Sequence, residues 1–342
     1  MSNNQNDILL EVKDLRVHFQ LDEGLLKAVN GVDFVVREGR TLGLVGESGC
    51  GKSVTNQALM GLVPHPGVVT GEILLHKKGR KPLDKPIDIV KLPRNGPEIR
   101  SIRGGDIGMI FQEPMKAFSP IHTIGNQIME TIMLHVEPDP AKARQICIDR
   151  LTEVGISNPE QRVDEYPHQL SGGMRQRAMI AMALASKPEI LIADEPTTAL
   201  DVTVQAQVLE LINDLKRENN TAVIFITHDL GVIAEMSDDV AVMYLGKVVE
   251  ACDVDTLFYN PMHPYTRALL KSIPTADKQH KGRFDSIKGT VPYAMNLPVE
   301  CGFCSRCEEK IPGVCDKGYP PNVEVEPGHF VRCFKFAKKG EA

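Results

Sequence analysis

Eight consecutive residues, Gly46-Glu47-Ser48-Gly49-Cys50-Gly51-Lys52-Ser53, fit G-x-x-x-x-G-K-[ST], the spacing of a triphosphate-binding loop. Glycines let such a loop turn tightly and aim N–H groups at phosphate oxygens. A helix opening near Ser53 adds the positive end of its dipole. Lys52 is expected to reach the β- and γ-phosphates, and the Ser53 hydroxyl to ligate Mg²⁺. A second candidate is Asp194-Glu195, at the end of the apolar run Ile190-Leu191-Ile192-Ala193. A strand there would deliver Asp194 to its C-terminal end, where ligands of α/β sheets bind. Asp194 would hold Mg²⁺ through water, and Glu195 would polarise the attacking water. Adjacent carboxylates on a continuing strand face opposite ways, so sharing one site requires the strand to stop, as Pro196 suggests. A third candidate is a thiol cluster: Cys301, Cys304, Cys307, Cys315 and Cys333, five of the chain's eight cysteines. In a reducing compartment such crowding marks a metal site more often than a disulfide framework. Four thiolates suit tetrahedral Zn²⁺ or an iron–sulfur cluster. Cys50 reads either as a thiol activated by the helix N-terminus or as an incidental packing residue.

These groups need a frame. Thr41 to Gly46, Glu189 to Asp194 and Ala222 to Thr227 are apolar runs of strand length, and Ser53 to Val63 and Val204 to Asn219 read as helices between them. That alternation predicts a parallel sheet with helices on its faces. Near the start, Leu15, Val17 and Phe19 alternate with Arg16 and His18, the period of a half-buried strand. From Ile121 to Ser186 the pattern is mostly helical and reads as an insert in the α/β core, with Asp139-Pro140 as a helix start. After about Thr256 periodicity fades and Pro and Gly recur, which places a domain boundary there. Lys77 to Arg103 holds nine Lys/Arg, three Asp/Glu and four prolines. It reads as a solvated loop, or alternatively as a contact for anionic headgroups or an acidic partner.

The whole chain bounds the function. Its 342 residues suffice for about two domains. A net charge of -6 does not suggest a nucleic-acid binder. No stretch approaches the roughly 18 uninterrupted apolar residues of a membrane span. The polar opening Met1 to Asp7 has no apolar signal core, so a cytosolic location is expected.

Leu170-Ser171-Gly172-Gly173-Met174-Arg175-Gln176 resembles the signature of ABC-type ATPases. Gln112 resembles their Q-loop, Ala199-Leu200-Asp201 the D-loop, His228 the switch histidine and Phe19 the aromatic against adenine. Phe19 also reads as a plain core residue of its strand. The resemblance spans about residues 8–255. It implies an α/β fold: a P-loop ABC-type ATPase core with a mainly parallel sheet, an N-terminal antiparallel β part, and a helical subdomain at about 115–186. It also implies that two cassettes sandwich ATP, each offering Ser171, Gly172, Gly173 and Gln176 to the nucleotide on the other's loop. Asp194, Ser53 and Gln112 would serve Mg²⁺, with Glu195, His228 and Gln112 catalytic.

Asn260-Pro261-Met262-His263-Pro264-Tyr265-Thr266-Arg267-Ala268-Leu269-Leu270, followed by Ser272-Ile273-Pro274, looks like a segment of oligopeptide and dipeptide importer ATPases. The resemblance then reaches across the chain, as a cassette of 1–255 and a small, irregular, Cys-rich extension of 256–342. It implies a [4Fe–4S] cluster on Cys301, Cys307, Cys315 and Cys333, with Zn²⁺ the alternative and Cys304 a substitute ligand. Gly328-His329 reads as a turn, and His329 is not counted as a ligand. The implied partners are a second ATPase subunit, related or identical, two membrane permease subunits and an extracytoplasmic binding protein. The implied location is the cytoplasmic face of the membrane, with no nucleic acid bound. Peptides are the implied cargo, with oligosaccharides or nickel as alternatives. The rival from another class is a soluble ABC ATPase acting on ribosomes or DNA, whose usual second cassette or long coiled coil is missing here.

Overall fold

The computed structural model describes residues 7–77, 85–113, 117–198, 200–272 and 287–337. The chain opens with two long strands, β1 (Ile8–Leu21) and β2 (Gly24–Arg37), joined by two residues and therefore antiparallel. It continues through β3 (Thr41–Val45), α1 (Lys52–Leu59), β4 (Gly67–Leu75), β5 (Ile87–Asp88), α2 (Pro97–Ile102) and β6 (Ile107–Ile110). A helical stretch follows: α3 (Ile124–His135), α4 (Pro140–Glu153), α5 (Pro159–Arg162) and α6 (Gly172–Ala183). Then come β7 (Ile190–Asp194), α7 (Val202–Asn219), β8 (Ala222–Thr227), α8 (Leu230–Met236), β9 (Asp239–Tyr244) and β10 (Lys247–Asp253). The chain closes with α9 (Val254–Tyr259), α10 (Pro264–Lys271), β11 (Val323–Glu326) and β12 (His329–Val331). Among the described residues no helix is long and apolar enough to cross a membrane.

Contacts divide the chain into two units: Met1–Leu10, Val36–Thr41 and Leu74–Ile226 in the first; Glu11–Val35, Leu42–Ile73 and Thr227–Ala342 in the second. In the first unit β6, β7 and β8 run parallel, with Ile107 opposite Ile190 and Ile190 opposite Ala222. Every residue of β7 and β8 is buried, which is why their sequences are continuously apolar rather than alternating. The helical insert forms as expected, over 124–183. Ile124, Ile128 and Ile132 make the buried stripe of α3, and Ala143, Cys147 and Leu151 that of α4. Asp139 caps α4, its carboxylate accepting the N–H of Ala141 and of Lys142, each at 3.0 Å, with Pro140 in the first turn. The stretch expected to be a solvated basic loop is partly folded: Ile87 lies in β5 and Ile89 just after it, Ile99 and Ile102 lie on α2, and all four are buried. Each apolar pair is only two residues long, Ile87/Ile89 at strand spacing and Ile99/Ile102 at helix spacing, so neither stands out among the charges around it. Residues 78–84 of that stretch lie outside the described residues, as do Ala199 of the expected D-loop and Ile273-Pro274.

In the second unit β3 runs parallel to β9 from Leu42–Asp239 to Val45–Val242. β10 pairs antiparallel with β9, β12 with β10, and β11 with β12. The Cys-rich stretch after α10 is irregular as expected, but the chain then returns to the sheet as the β11–β12 hairpin. Its turn holds Gly328 at φ +78, a left-handed conformation natural to glycine. His329 is thus the first residue of a strand. Val45, Val242, Tyr244, Leu257, Tyr265 and Phe303 share one core, which joins the sheet to the C-terminal stretch. His263 caps α10: its Nδ1 accepts the Tyr265 N–H at 3.0 Å. Burial holds this imidazole at a pKa of about 3, so it stays neutral and keeps that lone pair.

Candidate functional site

β3 is buried throughout and stops at Val45, so the chain leaves the sheet straight into the glycine-rich loop. Gly51 has φ +106, and a Cβ there would stand 2.4 Å from the Ala28 carbonyl oxygen. The loop therefore needs glycine at this position for two reasons, handedness and space. Ser48, Gly49 and Ser53 form its exposed rim, while Cys50 and Lys52 are buried. Lys52 Nζ donates to the Gly46 carbonyl at 2.6 Å and to that of Glu47 at 3.3 Å, so the ammonium lies inside the curl of the loop. Cys50 is buried, and burial pushes its thiol up despite the neighbouring Lys52.

Two contacts to this loop had no sequence signal. The Arg306 guanidinium forks onto the Glu47 carboxylate at 2.7 and 3.1 Å, and the Glu47 N–H donates to the Tyr265 hydroxyl at 3.0 Å. They join positions 259 and 218 residues apart in the chain. The Glu47 carboxylate holds the Arg306 guanidinium still further above its usual range. Phe19 is half-buried in β1.

The carboxylate pair lies in the first unit. β7 ends at Asp194, which is buried, and Glu195 turns to φ +47, a conformation uncommon for any residue but glycine. That turn is the end of strand that the pairing of the two carboxylates required. It brings Glu195 Oε2 to Gln112 Nε2 at 2.9 Å and to Thr198 Oγ1 at 3.0 Å, while the Glu195 N–H donates to the Ile226 carbonyl at 2.8 Å. Gln112 and Glu195, 83 positions apart, are thus brought together.

Of the signature residues, Ser171 caps α6, its Oγ accepting the Met174 N–H at 3.3 Å, and Ser171 and Gly172 are exposed at the helix start. Gln176 is buried, and its amide donates to the Pro196 carbonyl, tying the signature helix to the residue after Glu195. Asp201 caps α7 through the N–H groups of Thr203 and Val204 at 3.1 and 3.0 Å. His228 is exposed just beyond β8, in the second unit, and Asp229 beside it caps α8.

The thiols gather in the second unit. The Cys301 N–H donates to the Cys315 carbonyl at 2.9 Å and the Cys304 N–H to the Cys301 carbonyl at 2.8 Å. Burial pushes the Cys301 thiol to about 12 and raises those of Cys307 and Cys333. Soft sulfur donors in this number suit an iron–sulfur or zinc centre. Their spacing does not: among the described residues no group of three or more His, Cys, Asp or Glu side chains is placed to hold a metal ion.

Residues 29–198 match the family described as ABC transporter, and residues 249–315 match the oligopeptide/dipeptide transporter C-terminal region. A probable peptide ABC transporter ATP-binding protein of Sinorhizobium fredii, y4tR, is 48% identical over 98% of this chain and 97% of its own. The oligopeptide transport ATP-binding protein AppD of Bacillus subtilis is 47% identical over 97% of this chain and 98% of its own. The solved dimer of the ATP-binding cassette MJ0796, in a post-hydrolysis state bound to ADP and Pi, shares the fold. It has a TM-score of 0.62 at 24% identity and covers 72% of this chain and 99% of its own. By these likenesses, and by the phosphate loop and carboxylate turn that the structure builds, the chain belongs to the family of ABC transporter ATP-binding proteins, in its oligopeptide/dipeptide branch.

Proposed function

We propose that the chain is the ATP-hydrolysing subunit of a peptide importer, working as an ATP-sandwich dimer with a second ATPase subunit. The observation that carries this reading is the turn at Glu195, which sets a carboxylate on Gln112 one residue beyond Asp194. In it, Gly46 to Ser53 cradle the phosphates, Phe19 stacks on adenine, and Ser53, Asp194 and Gln112 serve Mg²⁺. Glu195 accepts the proton of the attacking water and His228 orients that water against the γ-phosphate. Ser171, Gly172, Gly173 and Gln176 belong to the face that meets the partner's nucleotide, and Asp201 to the adjoining contact. The cassette is residues 1–255 and the extension 256–342. Gln112 and the helical subdomain receive a cytoplasmic helix of a membrane permease subunit, one of two, which an extracytoplasmic binding protein supplies. The chain sits peripherally on the cytoplasmic face. Peptide cargo is supported by the names of the relatives. The test is purification of the native complex from membranes, followed by ATPase assay in vesicles. Recovery with permease subunits and stimulation by peptide plus binding protein are expected, and the stimulation is abolished in Lys52→Ala. Recovery with ribosomes or DNA instead would overturn the reading.

The same reading assigns a [4Fe–4S] cluster to Cys301, Cys307, Cys315 and Cys333, with Cys304 as a possible substitute ligand. The five gathered thiols support it, and the spacing described above does not. Anaerobically purified protein is expected to be brown and to carry about four irons and four sulfides per chain. Colourless protein with one zinc would replace the cluster by a zinc site.

A further inference from the structure

A loop that must receive a triphosphate carries a carboxylate, Glu47, next to its first glycine. Left alone, that charge repels the ligand through the low-dielectric wall of the site. The structure surrounds it with residues of the C-terminal extension. Arg306 has a side chain only 4% exposed and donates to both Glu47 oxygens, to the Lys288 carbonyl at 3.0 Å and to the Tyr244 hydroxyl at 3.4 Å. Its guanidinium carbon stands 5.8 Å from the Tyr244 ring centroid and 6.0 Å from that of Phe303. Tyr265, fully buried, takes the Glu47 N–H and packs on Tyr244 and Phe303 with ring centroids 4.7 and 5.4 Å apart. The Glu47 carbonyl in turn accepts from Lys52 Nζ. The Gly46 carbonyl, in the same peptide unit as the Glu47 N–H, accepts from Lys52 Nζ as well, at 2.6 Å, so one peptide unit connects the extension to the lysine of the phosphate loop.

From this geometry we infer that Arg306 is a positioning residue for nucleotide binding: it neutralises Glu47 and, with Tyr265, fixes the strand-to-loop corner that holds Lys52. The extension thereby sets the affinity of the loop for ATP. The inference rests on the reading of Gly46 to Ser53 as a triphosphate site. The rigid fork of two N–H groups matches both oxygens in one plane, a geometry that a point-like ammonium does not preorganise.

Charge neutralisation makes a prediction that a purely structural contact does not: the two single substitutions act in opposite directions. Arg306→Gln bares the Glu47 charge and is expected to raise the Kd and KM for ATP about 10-fold, with kcat within about twofold. Glu47→Gln bares the Arg306 charge and is expected to lower Kd several-fold. The double variant Arg306→Gln/Glu47→Gln is expected within about threefold of the parent chain. Both shifts should shrink between 0.05 and 0.5 M salt, roughly as screening dictates. Equilibrium binding of ATP to the full chain measures all three. Kd for Arg306→Gln within about twofold of the parent overturns the inference. So does a Glu47→Gln that binds more weakly than the parent, which stands as the deciding variant where Arg306→Gln does not fold. If the parent binds no ATP, or binds it equally well after Lys52→Ala, the phosphate-site reading itself falls.

Discussion

Glu195→Gln is expected to bind ATP, to hold the ATP-bridged dimer and to turn over ~10²–10⁴-fold more slowly than the parent chain. The structure makes this substitution clean. The Glu195 carboxylate already accepts from the Gln112 amide and the Thr198 hydroxyl through one oxygen, Oε2. A glutamine amide can keep its oxygen on those donors, so the turn and its neighbours stay in place. What disappears is the second oxygen's capacity to take a proton. A loss confined to kcat, with ATP affinity kept, is the signature of a group acting only in the transition state. The measurement is steady-state ATPase alongside sedimentation with and without ATP. Turnover within about tenfold of the parent would remove Glu195 from the role of base. Slow turnover without an ATP-dependent dimer would instead remove the sandwich, since a γ-phosphate that persists should keep both cassettes bridged.

The parts of this site that the sequence made legible are local. Gly46 to Ser53 could be read because each residue type has its own reason to be there, and the strand before it and helix after it are short-range features. The Asp194-Glu195 pair could be read because Pro196 forbids the strand from continuing, and the structure ends β7 at Asp194 with Glu195 left-handed. Helix α1 stops at Leu59, short of the expected Val63, because Gly61 ends it at φ +59. What could not be read is the set of contacts made at long range. Arg306 lies between Cys304 and Cys307, and Glu47 occupies an unspecified position of G-x-x-x-x-G-K-[ST]. Nothing in either neighbourhood encodes a meeting across 259 positions. Ion pairs of this kind have no period and no fixed spacing, so only the folded chain reveals them. The thiol cluster falls between: residue type and crowding were plain, whereas ligand geometry depends on an irregular stretch with no periodicity to constrain it.

The second large effect concerns a pair that sequence reasoning passed over. His329 Nε2 lies 2.8 Å from Glu250 Oε1, and the two side chains are 2% and 0% exposed. Glu250 also accepts the N–H groups of Met262 at 2.6 Å and His263 at 2.9 Å. One buried carboxylate therefore binds β10, the start of α10 and β12 together. His329→Ala deletes a partner and leaves Glu250 Oε1 facing a cavity without it. The expected cost is about 1–3 kcal/mol of folding stability, because a buried acceptor that loses a hydrogen-bond partner keeps its desolvation penalty. Against a typical total of about 5–15 kcal/mol this is a large fraction. It should show as a lower urea midpoint and as faster proteolysis within β11–β12. Arg144→Ala supplies the contrast. Its fork onto Asp164 at 2.9 and 2.7 Å is geometrically as good, but the side chains are 41% and 63% exposed. Water screens that pair and solvates what remains, so its loss should stay under about 1 kcal/mol. If His329→Ala proved as mild as Arg144→Ala, Glu250 would have to find its compensation elsewhere, and the hairpin would be held to β10 by its ladder alone.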